Sequence, residues 1–221
     1  LGRIPTPALM AFAVSRKLAS VMVTGSHIPF DRNGIKFNKS TGEVLKADER
    51  AIFDAVNAVR AERYAQPAAT SPFDAEGMLK PDGRRPLPEA DPAGAAEYVA
   101  RYTRAFAAGG LSGRRILVYQ HSAVGRDLLP LVLRELGADV VVAGRSEAFI
   151  AIDTEAVNAG MLAELQVLVD AHGGATLDAV VSTDGDSDRP LLVEHEALTA
   201  EDDVGKVLDV EPVGATQNLV A

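Results

Sequence analysis

The sequence of 221 residues contains no cysteine, which excludes disulfide staples and thiolate catalysis. Such a chain suits a reducing compartment, and a cytoplasmic location is the expectation. No apolar run approaches the roughly 18 residues that cross a bilayer, so no membrane partner is expected. The first residues show no basic segment leading into an apolar one, so no signal peptide is visible. Basic charge is also scarce: 22 Lys and Arg face 31 Asp and Glu, a formal net charge of −9. That balance argues against a nucleic-acid partner, because phosphate backbones are held by clustered cations. It leaves room for a small phosphorylated ligand, which a few local cations and backbone N–H groups can hold inside an acidic protein.

What is present is ordinary globular material, 47% hydrophobic and 24% charged, enough for one large domain or two small ones. The chain begins at Leu1 and enters Gly2-Arg3-Ile4-Pro5-Thr6-Pro7 at once, as a trimmed piece would. Strand and helix patterns then alternate. A helix is expected over Ala8–Ala19, with Pro7 in its first turn. A strand follows at Val21–Val23, then a polar loop over Thr24–Gly34 and a short strand at Ile35–Phe37. Lys46–Tyr64 gathers Ile52, Phe53, Val56 and Val59 on one helical face. Residues 65–92 are rich in proline (Pro67, Pro72, Pro81, Pro86, Pro88, Pro92) and read as a linker.

A second α/β unit follows, with helices expected at 93–108, 127–136 and 153–171. Its strands are expected at 115–120 and 139–143, with a final one at 178–183 feeding the loop Asp184–Arg189. Alternation of this kind implies parallel strands with crossover helices, and ligands then sit at the carboxyl ends of the strands. Both polar loops occupy such ends.

The first of them, Thr24 to Phe37, reads TGSHIPFDRNGIKF. Gly25 and Gly34 permit close backbone approach, and between them stand a hydroxyl (Ser26), an imidazole (His27) and the cation Arg32, with Lys36 just beyond. Together these suit a loop that holds an anion and presents a nucleophile, although a serine hydroxyl needs a base or a metal-bound phosphoryl donor beside it. For an isolated Ser-His pair, a capping turn with a packed imidazole is the simpler reading.

The second loop is Asp184-Gly185-Asp186-Ser187-Asp188-Arg189. Carboxylates at alternate positions repel one another unless a cation is shared, and a hard divalent ion such as Mg²⁺ takes oxygen ligands of this kind. An EF-hand fails here, because Arg189 and His195 stand where that loop needs Gly and Glu. A solvated acidic turn is disfavoured by the apolar strand that delivers the loop.

The serine loop resembles the phosphoserine loop of the α-D-phosphohexomutase family. Thr24, Ser26, His27, Pro29, Asn33, Gly34, Ile35 and Lys36 agree with the commonest family form, which has Ala at Gly25 and Asn at Ile28. The Gly and Ile form is similar to a variant of bacterial phosphomannomutase-like members. The aspartate loop resembles the same family's metal loop, whose usual form has Gly at Ser187. Gly2–Pro7 and Gly113–Ala143 are similar to further family segments, so the likeness covers residues 1 to about 195.

The resemblance implies two mixed or parallel three-layer α/β domains, at 1–92 and 93–195, with a contracted start of a third at 196–221. It implies interconversion of a hexose 1-phosphate and its 6-phosphate, of mannose or glucose, through a hexose 1,6-bisphosphate. Ser26 would carry the phosphoryl group, and Asp184, Asp186, Asp188 and the Ser26 phosphate would hold Mg²⁺. Lys36 would act as base or acid, its pKa depressed by neighbours such as Arg32, and His27 would assist in positioning phosphate. Arg189, Arg32 and Asn33 would bind phosphate, while His121, His172 and His195 would be structural. A monomer or homodimer is expected.

No counterpart is visible of the family's sugar-selecting Gly-Glu-x-Ser-Gly loop or of its Arg-x-Ser-Gly-Thr phosphate loop. Three readings therefore stand: a mutase with more chain than is seen, a binding remnant, or a half-site phosphotransferase.

Overall fold

In the computed structural model, residues 1–194 are described apart from His27 and Phe30. The expectations for His27, His195 and the third-domain segment 196–221 lie outside the described residues.

Helix α1 spans Thr6–Ser15, shorter at its C-terminus than the expected 8–19. It stops because Lys17 turns into the left-handed region (φ 56°). The N–H of Leu18 then donates to Ala13 O (2.9 Å) and that of Lys17 to Val14 O (3.0 Å), the paired bonds of a Schellman closure. Strands β1 (Ser20–Thr24), β2 (Gly34–Lys39) and β3 (Gly42–Glu43) follow, forming a three-stranded sheet in that order. Both of its pairings are antiparallel, which corrects the expectation of parallel strands in this unit. The reason is the connection: among its described residues the polar loop between β1 and β2 contains no crossover helix, and without one a parallel return is out of reach.

Alternation along β1 and β2 sorts side chains to two faces. Val21 stands opposite Phe37, and Val23 opposite Ile35. All four are exposed, while Met22 and Lys36 pair on the other face. Helix α2 covers Lys46–Tyr64 as expected, its first turn held by Asp48, which accepts from the Leu45 N–H (2.9 Å). The apolar side expected to pack is not covered, however. No α2 residue is buried, and Phe53, Val56 and Val59 are exposed.

The proline-rich stretch contains a 3₁₀ turn at Pro81–Gly83 and an isolated bridge between Phe73 and Leu79. Helix α3 (Ala93–Ala105) packs on α1, and Arg16 pairs with Glu97 between them (2.5 Å). Strands β4 (Arg115–His121), β5 (Asp139–Arg145), β6 (Ala179–Thr183) and β7 (Pro190–Glu194) form a sheet ordered β5-β4-β6-β7. Its first two pairings are parallel, with α4 (Leu128–Glu135) and α5 (Ala159–His172) as crossovers. Helix α5 starts later than the expected residue 153, because the Asn158 side chain caps it by accepting from the Met161 N–H (3.0 Å).

Strand β7 was not anticipated. It pairs antiparallel with β6, so Asp184–Arg189 is the tip of a hairpin and β6 is not the last strand. Pro190 occupies its first position, where a missing N–H costs least. The core lies against this sheet: Leu117, Tyr119, Leu165, Val169, Val180 and Val193 are all buried.

The two hydrophobic faces differ in what they contribute. Leu165→Ala, at a fully buried site, is expected to lower the unfolding free energy by about 3 kcal/mol. Val59→Ala, on the open face of α2, should change it by less than about 0.5 kcal/mol. Urea unfolding of both variants checks this; equal losses would contradict the packing described.

Candidate active site

Two loops far apart in sequence meet, one from each sheet. Ser26 adopts a positive φ (50°), and its own N–H is fixed by the Thr24 hydroxyl (2.8 Å). From there the Ser26 hydroxyl donates to Asp184 Oδ2 (2.6 Å). Arg189 Nη1 lies 3.4 Å from Ser26 Oγ and 3.6 Å from the same carboxylate oxygen. Close approach depends on Gly185, because a Cβ there would stand 2.5 Å from the Ser26 carbonyl oxygen.

The aspartate loop is anchored from several sides. Its closing bond runs from the Asp184 N–H to Arg189 O (3.0 Å), while Val124 N–H donates to Gly185 O (2.9 Å) and Thr6 N–H to Asp186 O (3.0 Å). Ser187 takes a left-handed conformation (φ 59°) that suits glycine better. Its side chain compensates, with Oγ accepting from the Gly125 N–H and the Thr183 hydroxyl (both 2.9 Å).

Asp184, Asp186 and Asp188 each bring a carboxylate oxygen into a group spanning no more than 4.8 Å. Asp184 and Asp186 are buried. Burial pushes the Asp184 carboxyl above the usual carboxylate range, the hydrogen bond from Ser26 opposes this, and the neighbouring Asp186 and Asp188 charges push the same way as burial. Burial acts likewise on Asp186, but hydrogen bonds from Thr6 and Lys36 outweigh it and hold this carboxyl low. Asp186 Oδ1 and Asp188 Oδ1 are buried without a hydrogen-bond partner. Orphaned anionic oxygens around an all-oxygen donor set fit a hard divalent cation of the Mg²⁺ kind.

Lys36 reaches the site, though by a different route from the one expected. Its Nζ binds Asp188 Oδ2 (2.7 Å) and Asp186 Oδ2 (3.0 Å). Burial would lower its pKa, but the bonds to these carboxylates prevail and raise it. The expected depression by Arg32 is thereby corrected: the groups beside Nζ are anions. Arg32 and Asn33 are exposed on the β1–β2 loop; among the described residues no side-chain hydrogen bond draws them to Ser26. His121 is buried, as a structural residue would be. Its Nε2–H donates to Thr183 O (2.8 Å), leaving Nδ1 buried without a partner. His172 Nδ1 lies 2.9 Å from Leu168 O within α5. Sequence reasoning missed Thr6, whose hydroxyl donates to Asp186 Oδ2 (2.6 Å). Nothing local marks a threonine in the first turn of a helix as a partner for a distant aspartate.

A serine is thus set against clustered carboxylates at a strand-end loop, and comparison with known proteins specifies the lineage of the chain. Residues 1–63 match the model of phosphoglucomutase/phosphomannomutase α/β/α domain I, and residues 96–197 match that of domain II. The chain belongs to the phosphoglucomutase/phosphomannomutase family. It is 41% identical over 205 residues to a phosphomannomutase of Sinorhizobium fredii (strain NBRC 101917 / NGR234), covering 92% of this chain and 39% of that protein. It is 39% identical over 194 residues to a phosphomannomutase of Salmonella muenchen, covering 88% and 36%. A phosphoglucosamine mutase of Parafrankia sp. (strain EAN1pec) is 32% identical over 205 residues, covering 92% and 40%. The chain thus spans about two-fifths of the length of these relatives. In fold it is similar to a phosphoglucomutase/phosphomannomutase family protein from Burkholderia thailandensis, with a TM-score of 0.58 at 20% identity, covering 87% of this chain and 39% of that one. No helix among the described residues is long and apolar enough to cross a membrane.

Two outcomes follow from this geometry. Gly185→Ala forces a Cβ against the Ser26 carbonyl and should cost about 1–3 kcal/mol, read as a lower urea midpoint; an unchanged midpoint would mean that the loops do not meet. His121 is held below the ordinary histidine pKa, chiefly by burial. The unfolded chain therefore binds a proton that the folded one resists. Stability contributed by neutral His121 is present above about pH 6.5 and declines as pH falls below it. Urea midpoints between pH 7.5 and 5.5 (about the histidine range) should fall, and His121→Gln should flatten that decline.

Proposed function

We propose that this chain carries the phosphoserine and metal half of a hexose-phosphate mutase site. It is divided into a serine-bearing unit at 1–92 and an aspartate-bearing unit at 93–195. The observation that carries the reading is the 2.6 Å hydrogen bond from Ser26 to Asp184, which sets the nucleophile against the cation-binding cluster. Family membership and the similarity to phosphomannomutases support it.

In this reading Ser26 Oγ attacks a phosphorus atom of a hexose 1,6-bisphosphate. A P–O bond to Ser26 forms as its hydroxyl proton passes to Asp184 Oδ2, its hydrogen-bond acceptor. The bond to the sugar oxygen breaks, and that oxygen takes up a proton from Lys36, so that a proton moves on from Asp184 to restore the lysine. The phosphoserine gives its phosphoryl group to the free hydroxyl of a hexose monophosphate, regenerating the bisphosphate, and taking back the phosphate at the opposite end leaves the isomer. Asp184, Asp186 and Asp188 would hold Mg²⁺, which neutralises charge on the phosphoryl oxygens when bound. Arg189, beside Ser26 Oγ, supplies a fixed cation for the same oxygens. Lys36, kept protonated by its two carboxylate partners, suits the role of acid and charge partner rather than base. His27, Arg32 and Asn33 lie on the serine loop and would meet substrate phosphate from that side.

The test is incubation with glucose and mannose 1,6-bisphosphates and Mg²⁺, followed by intact mass and peptide mapping. One phosphate on Ser26 is expected. It should disappear in Ser26→Ala and fall sharply in Asp186→Asn. Metal binding without phosphate uptake would instead assign the chain a binding role.

A further inference from the structure

We infer that Thr6 is a positioning residue for the metal cluster, its hydroxyl fixing the Asp186 carboxylate so that Oδ1 is presented to the cation; this rests on the metal reading above. The argument starts from one carboxylate group. Asp186 is 2% exposed. Its Oδ2 accepts two bonds, from Thr6 Oγ1 at 2.6 Å and from Lys36 Nζ at 3.0 Å. Its Oδ1 is buried with no partner. An ionised carboxylate has lone pairs on both oxygens and accepts only. With Oδ2 engaged by two donors, the unsatisfied oxygen is the one left for a metal ion, and a buried anion in that state needs one.

Of the two donors, Thr6 is the better suited to fix direction. Lys36 is shared with Asp188 Oδ2, and its flexible ammonium can turn among acceptors. Thr6 has a β-branched, stiff side chain, and its backbone is tied to the same loop. Its N–H donates to Asp186 O (3.0 Å) while its hydroxyl binds the side chain of that residue. Thr6 therefore holds Asp186 at two points, across 180 residues of sequence. Position matters too: Thr6 is the first residue of α1, where the helix dipole favours an anion. Outer partners of this kind orient metal-ligating carboxylates, and their loss typically costs about 10–100-fold in metal affinity.

The experiment is Mn²⁺ titration followed by electron paramagnetic resonance, with Mg²⁺ competition, on the wild-type chain and on Thr6→Val, Thr6→Ser and Asp186→Asn. Thr6→Val keeps shape and the backbone bond but removes the hydroxyl. It is expected to weaken Mn²⁺ about 10–100-fold, with the metal-free fold retained by circular dichroism and its melting temperature lowered only as far as one lost hydrogen bond requires. Thr6→Ser should recover most of that affinity, which a purely structural role would not require. Wild-type affinity in Thr6→Val overturns the inference alone. Failure of the wild-type chain to bind Mn²⁺, or full binding by Asp186→Asn, overturns the metal reading and the inference with it.

Discussion

The crowding of three carboxylates at the tip of the β6–β7 hairpin is the constraint around which the site is built. Two of them are withdrawn from water, and buried like charges are costly unless each is answered. The answers come from a hydroxyl of the serine loop, an ammonium from β2, a second hydroxyl from the start of α1, and the backbone N–H groups of Asp188 and Arg189, which donate to Asp184 Oδ1. Unsatisfied negative charge thus recruits the elements that make the site, and two oxygens are still left over. Phosphoryl transfer benefits from such an arrangement, because its transition state is served mainly by fixed charge and position.

The anchors also show why the loop holds its shape. Ser187 occupies a left-handed position that glycine would adopt more easily. The strain is offset by bonds that only a side chain can make, to Gly125 and Thr183. A serine here gives up conformational ease for a tie to the loop after β4.

Much of this was legible in the sequence. The serine and aspartate loops could be read because each packs its chemistry into a short contiguous run, and α2 was bounded correctly because its pattern is local. Strand direction in the first unit was legible but overlooked: the polar loop between β1 and β2 is too short for the crossover helix that a parallel return needs. Strand β7 was hidden behind Pro190, which discourages reading a strand although it tolerates being first in one. The pKa of Lys36 was misjudged because sequence proximity to Arg32 says nothing of the carboxylates that lie across the fold. Thr6 was invisible for the same reason: its partner is 180 positions away.

The hairpin of β1 and β2 binds two unlike properties of the protein to a single number. Lys36 faces the aspartates only because Phe37 and Ile35 face outward, and a strand has a period of two. Sliding one strand by one residue would withdraw the ammonium into solvent and drive a phenyl or sec-butyl group toward the carboxylates. Surface hydrophobicity and site electrostatics are therefore not separately adjustable along this hairpin. Whatever evolutionary drift reaches one reaches the other, and the greasy outer face is the counterpart of a charged inner one.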